Sequence, residues 1–377
     1  MKKILKIVFY LILGMGIGLV ITTLFAVLLT DISLSEFIEK CKSIEISEMG
    51  VSLLVGMLAT AVSTAILVVS HEAGHLIFGL MSGYKFVSFR IFNLTIIRKD
   101  GNFGIKRFSI AGTGGQCLLQ PPNKPIEKIS TAWYNIGGVL VNIIEVIVAV
   151  ILMPLFSNAF LSECLFIFIL IGVVLIIFNG IPMKLGGASN DAYNMFALRK
   201  NLIAKRGLID ALRINCESQN GRRLKDMPES WFEVPENIDL KNQLEVSIPL
   251  SAASRLVDTM DFHVAQKMFE DMYVFKDSII PIYIKEIVCE LIFLRMTNGE
   301  TAKAEELLTP DMKRYIDTYR NVMSSKQRIL CAIALYLYKD RNKALTIYDS
   351  LKSREKEYLL QGEAKSDLAI TQKILEP

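Results

Sequence analysis

No pair of cysteines in this chain is spaced Cys-x-x-Cys, and the six present, at positions 41, 117, 164, 216, 289 and 331, follow no pairing pattern. That excludes a sequence-evident disulfide framework and a sulfur-based zinc site, and leaves isolated buried thiols as the reading. Excess charge is also missing. Lysine and arginine exceed the acids by only four in 377 residues, so nothing marks nucleic acid as a partner. Histidine is scarce, with three copies, and charge vanishes locally: between residues 49 and 84 the only formally charged side chain is Glu72.

Apolar residues are what the chain has in quantity, at 52%, with a mean hydropathy of +0.39. They crowd into residues 1–182, and mixed charged sequence fills the remainder, so at least two units are expected. Residues 1–30 read as a first membrane helix: the apolar run after Lys3 is too long for the core of a signal peptide and shows no small-residue cleavage site. Residues 31–48 carry more acids than lysines and fit an external loop. Further spans are expected over about 49–80, 133–155 and 161–178, each long enough to cross the hydrocarbon core. Lys85, Arg90, Arg98, Lys99, Lys106, Arg107, Lys124 and Lys128 lie between the second and third spans and favour the cytoplasmic side. Four spans then put both termini in the cytoplasm of a multi-pass protein, with a bacterial cell membrane as the expected setting.

Two of the three histidines sit in one motif, His71-Glu72-Ala73-Gly74-His75, near the inner end of the second span. Residues four apart share a helix face, which lets His71 and His75 bind one metal ion with Glu72 beside them as a proton-transfer group. A five-residue match arises by chance in soluble helices. Ionisable groups within a membrane span are costly, however, and are functional by default. A third protein ligand is still needed. Asp191 is the candidate, following a break at Asn179-Gly180-Ile181-Pro182 and a loose Gly186-Gly187 pair, at the same expected depth as His75. Its ordinary reading is a first-turn acid favoured by the helix dipole, with Ser189 or Asn190 as the cap.

Between the second and third spans, residues 86–97 are β-branched and aromatic, Asp100-Gly101 is a turn signal, and residues 103–110 return as the second strand of a hairpin. A glycine-rich loop over 111–122 follows. This insertion, 84–125, either caps the membrane surface or offers an edge to an extended peptide by strand addition, and the second use suits a protease. In the third span Asn135 and Asn142 share a face, with Glu145 beyond. They either tie helices together beside the Gly137-Gly138 pair or hydrogen-bond to substrate or to the site. Asn142 is favoured for the functional role and Glu145 for packing.

Beyond residue 200 the pattern becomes amphipathic and helical. Residues 200–247 read as a linker with a connecting helix, and residues 248–377 as a cytoplasmic helical-repeat domain. Ala265, Ala304 and Ala344 fall in register, each after an apolar helix and a short polar turn, as in stacked, tetratricopeptide-like helical hairpins. His263 reads as a surface residue.

Residues 49–195, within an expected core of 49–199, taken together resemble the site-2 protease family of intramembrane metalloproteases. The resemblance rests on the His71–His75 motif, on Gly138-Val-Leu-Val-Asn142 in place of the family's Gly-Pro-x-x-Asn, and on Asn179-Gly-Ile-Pro182 followed by Asp191. Val139 stands where proline is usual. Asp191 comes a few residues late and is followed by Ala192 where the family has glycine. The segment between the second and third spans is too short for the PDZ domain of many bacterial members. The resemblance implies an all-α membrane fold of four spans with the β-hairpin insertion. It also implies Zn2+ held by His71, His75 and Asp191, Glu72 as the proton carrier, and Asn142 and Asn179 holding an unwound membrane-spanning substrate. The helical domain is expected to recruit a protein partner or gate the site. An inactive membrane scaffold signalling through that domain is the alternative. A transporter is disfavoured, since no inverted repeat is present.

Overall fold

The computed structural model describes residues 46–99, 102–107, 114–185 and 188–376, with four isolated positions before residue 40. The expected first span and most of the acidic loop after it lie outside the described residues. The chain divides into two units, Met1–Val62 and Ser63–Pro377. In the first, the described residues are mainly a helical stretch with exposed Val51, Leu54 and Met57. The contacts that follow all lie within the second.

Helix α1 (Ile46–Met81) is apolar almost throughout and carries the histidine motif in its C-terminal third. A four-stranded antiparallel sheet follows: β1 (Lys85–Ile91), β2 (Leu94–Lys99), β3 (Asn102–Arg107) and β4 (Gly115–Gln120), in the spatial order β3-β2-β1-β4. Two further helices, α2 (Ala132–Leu152) and α3 (Ala159–Gly180), pack against each other. Asn158 starts α3 by accepting from the backbone N–H of Leu161 at 3.1 Å. Three helical segments, Leu53–Met81, Ile126–Leu155 and Ala159–Gly180, are long and apolar enough to cross a membrane. Their outward faces keep large apolar side chains exposed, among them Ile147, Ile151 and Phe178.

The single hairpin expected over residues 86–110 is corrected to this sheet. Residues 86–97 are not one strand. The chain reverses at Phe92-Asn93, and Phe92 takes a left-handed φ of 51°. Phenylalanine is a poor turn former, so the reversal leaves no turn signature in the sequence. The glycine-rich loop is likewise not all loop, since residues 115–120 form β4 against β1.

After α3 the chain makes a two-residue ladder, β5 (Lys184–Leu185) with β6 (Ala188–Ser189), and enters α4 (Asp191–Lys200). Helix α5 (Leu202–Gln219), within the expected linker, buries Ile209, Leu212 and Cys216 with Val87 and Leu119 of the sheet. From Gln243 the structure is helical: α6 (Gln243–Asp258), α7 (Phe262–Tyr273), α8 (Pro281–Thr297), α9 (Thr301–Leu307), α10 (Pro310–Tyr319), α11 (Ser324–Ala332), α12 (Arg341–Ser353) and α13 (Gln361–Leu375). Consecutive helices pack around a core that includes Phe269, Ile287, Leu291 and Ile316. Ala265, Ala304 and Ala344 are each fully buried, which lets neighbouring helices approach closely, while His263 is exposed.

Candidate metal centre

His71 and His75 lie one turn apart on α1, and Asp191 is the first residue of α4. Two features bring these elements together. Gly74 and Gly137 meet where α1 crosses α2: a Cβ on Gly74 would lie 2.4 Å from the Gly137 carbonyl oxygen, so only hydrogen fits there. Asn190 fixes the break before α4. Its side-chain oxygen accepts from the N–H groups of Met183 and Tyr193, and its amide donates to the carbonyls of Phe178 and Ile181 at 2.6 Å. The cap thereby ties the end of α3 to the start of α4 and sets the position of Asp191.

The histidine Nδ1 atoms both have obligate acceptors as partners. His75 Nδ1 lies 2.7 Å from the Tyr134 carbonyl oxygen. His71 Nδ1 lies 2.7 Å from Asn142 Oδ1. The Asn142 amide is itself oriented, because its Nδ2 donates to the Leu67 carbonyl at 3.0 Å and to Glu145 Oε2 at 3.2 Å. Each Nδ1 therefore carries a proton, and the tautomer able to bind a metal is the one in which each Nε2 turns a lone pair inward. The two Nε2 atoms stand 3.2 Å apart, and Asp191 Oδ2 is 3.0 Å from one and 3.5 Å from the other. Three acceptors facing one another repel unless a cation lies between them. Bonds of about 2.0–2.2 Å to a tetrahedral ion set neighbouring ligand atoms roughly 3.3–3.6 Å apart, close to the observed gaps. Two imidazoles and a carboxylate are a fitting donor set for zinc, although the geometry alone does not select that metal.

Glu72 is half-buried between these ligands and the sheet. The start of β4 presses on it, as a Cβ at Gly115 would lie 2.4 Å from Glu72 Cγ. Arg90 of β1 is buried, donates to the carbonyls of Phe92 and Gly115, and feels the Glu72 charge. Gly138 is equally constrained, since a Cβ there would lie 2.6 Å from His71 Nε2.

Of the residues expected to act, His71, Glu72, His75 and Asp191 come together. Asn142 comes with them, but fully buried and with its amide engaged by protein, so it orients His71. Asn179 turns back on its own helix, donating to the Leu175 carbonyl at 3.1 Å. Glu145 accepts from Ser70 Oγ at 2.8 Å as well as from Asn142, in keeping with a packing role. The support given by Ser70, Tyr134 and Gly115 was not anticipated. Tyr134 acts through its backbone carbonyl, which leaves no side-chain signal. No protein-family model, curated protein or solved structure matches this chain.

Proposed function

We propose that this protein is an intramembrane zinc metalloprotease, cleaving a membrane-spanning segment of a protein or peptide near the cytoplasmic face. The observation that carries this reading is the convergence of His71 Nε2, His75 Nε2 and Asp191 Oδ2, with Glu72 beside them, at the end of an apolar helix. When bound there, zinc supplies Lewis acidity toward a water and a scissile carbonyl. The remaining work falls to the chain. Glu72 takes a proton from the attacking water and returns it to the leaving amine. Asn142 and the Tyr134 carbonyl hold the two rings in the tautomer that leaves Nε2 free for metal. A helical substrate hides its carbonyls and must unwind to react. An outer strand of the sheet, β4, begins against Glu72 and can take an extended peptide by strand addition. The fully engaged Asn142 is a poor substrate donor in this scheme, and Asn179 would have to release its own helix to serve as one. The helices beyond Gln243 form a tetratricopeptide-like domain that offers a protein-binding surface, and the domain and both termini are cytoplasmic.

The test is Glu72→Gln in purified protein given a membrane-spanning peptide whose cleavage by the parent has been detected. Cleavage should fall by at least a hundredfold while zinc content stays near one equivalent. Undiminished cleavage by the variant would sink the mechanism. A parent that holds zinc but cleaves no cellular membrane peptide would favour the scaffold alternative.

A further inference from the structure

At the amino end of α2 a cavity of about 590 Å³ lies between that helix, the end of α4 and the start of α5. Four cations line it: Lys128 just before α2, Arg199 and Lys200 at the end of α4, and Lys205 on α5. Glu127 is the one acid beside them. Among the described residues none of the four cations forms an ion pair. Lys205 Nζ donates to the Glu127 backbone carbonyl at 3.1 Å, and the side chains of Lys128, Arg199 and Lys200 make no hydrogen bond. A helix carboxyl end favours nearby cations, which accounts for Arg199 and Lys200. It does not account for Lys128 and Lys205, which line the same space from other elements.

The wall carries unmet donors as well. Thr131, the N-cap of the 21-residue α2, makes no side-chain capping bond. It is only 5% exposed and lines the cavity, yet its hydroxyl has no hydrogen-bond partner among the described residues. Unlike Thr95 Oγ1 in the sheet, that hydroxyl is not sealed from solvent, so it opens on the cavity. The site thus offers cations and a free donor at a helix amino end, and a single carboxylate. Its complement is an anion rich in acceptors that carries no cation of its own. A phosphate diester has this character, and hydroxyls on its far side can meet Glu127. The volume falls within the range of small-molecule sites, roughly 300–1,000 Å³. Position favours a lipid as the source of the phosphate. The cavity lies at the start of Ile126–Leu155, a segment long and apolar enough to cross a membrane, where a bilayer brings its headgroups. Leu202 on the cavity wall and Trp133 in the first turn of α2 are exposed there, as suits contact with the membrane interface.

We propose that this cavity binds the headgroup of an anionic glycerophospholipid, with its phosphate among Lys128, Arg199, Lys200 and Lys205 and accepting from the Thr131 hydroxyl. The site stands apart from the metal centre and needs only a membrane-embedded chain, so it and the proposed protease activity fail or survive separately. The full-length protein in a neutral detergent is titrated with dioctanoyl phosphatidylglycerol, with dioctanoyl phosphatidylcholine, and with glycerophosphoglycerol, the first headgroup without its acyl chains. Bound molecules are counted by native mass spectrometry. Phosphatidylglycerol should bind about tenfold or more tightly than phosphatidylcholine, and Arg199→Gln with Lys200→Gln, both exposed, should remove that preference. Thr131→Val keeps the side-chain shape, deletes the hydroxyl and should weaken phosphatidylglycerol binding roughly three- to tenfold. Lys85→Gln with Arg98→Gln removes two exposed cations outside the cavity and should leave the preference intact. Equal binding of the two lipids, or a preference lost as fully in the Lys85 and Arg98 variant, reduces the effect to diffuse surface charge and overturns the site. Unchanged binding by Thr131→Val places the phosphate elsewhere and overturns it too. If glycerophosphoglycerol binds as tightly as the lipid, the occupant is a free phosphate ester and the lipid assignment is refuted.

Discussion

Replacing Asn142 with leucine keeps much of the side-chain volume but removes the acceptor that holds His71. In the parent, Asn142 Oδ1 lies 2.7 Å from His71 Nδ1, and its amide donates to Leu67 and Glu145. Asn142 is fully buried, so water cannot take over these bonds. The His71 N–H then has no acceptor, and the ring loses the bond that keeps Nε2 aimed at Asp191. A buried donor left unmet costs about 1–3 kcal/mol. With about 1.4 kcal/mol per factor of ten in an equilibrium constant, zinc affinity should fall roughly ten- to a hundredfold. The assay is competition against a zinc chelator in detergent, with metal content read by mass spectrometry. Thermal unfolding of the metal-free protein should move by only a few degrees, because the main loss is in aiming a ligand. Asn142→Asp restores an acceptor for His71 and should recover most of the affinity, although it places a second carboxylate beside Glu145. If the leucine variant binds zinc within twofold of the parent, or the aspartate variant is as weak as leucine, the orienting role is wrong.

Other changes separate the parts of the molecule. Asp191→Ala should abolish stoichiometric zinc binding by the same competition assay, since only two protein ligands remain, too few for a stable site. Gly115→Val should leave zinc content intact yet suppress cleavage at least tenfold, because its side chain must displace Glu72 and touches no ligand. Lys326→Met should destabilise the helical part by about 3 kcal/mol in denaturant unfolding, because a fully buried ammonium leaves Glu286 without its charge partner. Ionising Glu363 costs stability, because its folded pKa of about 8 lies above the ordinary 4.5. Its contribution is therefore intact below about pH 4.5 and is lost as pH rises through 8, and Glu363→Gln should flatten the fall in melting temperature between pH 6 and 9.

Much of the site was legible because its chemistry is concentrated in short motifs. His71 and His75 needed only helical spacing to share a face, and the break at Pro182 marked where Asp191 enters. What supports them was harder to read. The Tyr134 carbonyl carries no residue signature, and Asn142 reads equally well as a substrate donor or a ligand clamp until its neighbours are placed. The sheet shows the same limit. Asp100-Gly101 announced a turn, whereas the reversal at Phe92 depends on a left-handed phenylalanine that tertiary packing imposes. In the helical part, alanine register marked the crossings, but no periodicity showed that Lys326 and Arg328 would be buried in ion pairs with Glu286, Glu290 and Asp367.

The sheet is also what joins the two halves of the second unit. One of its outer strands, β4, starts against Glu72, and the other, β3, meets the helical part, where Lys106 Nζ donates to the carbonyls of Lys356 at 2.8 Å and of Tyr358. Between them run three antiparallel ladders whose hydrogen bonds resist shear. Helix α5 adds a second tie. It packs on β4 and also contacts α13, the helix that carries Glu363. Just past the end of α5, a Cβ on Gly362 would meet the Arg222 carbonyl, so α13 touches the backbone that follows α5. The insertion is thus a mechanical link between the parts: the sheet whose β4 begins against Glu72 is tied through β3 and through α5 to the helical part.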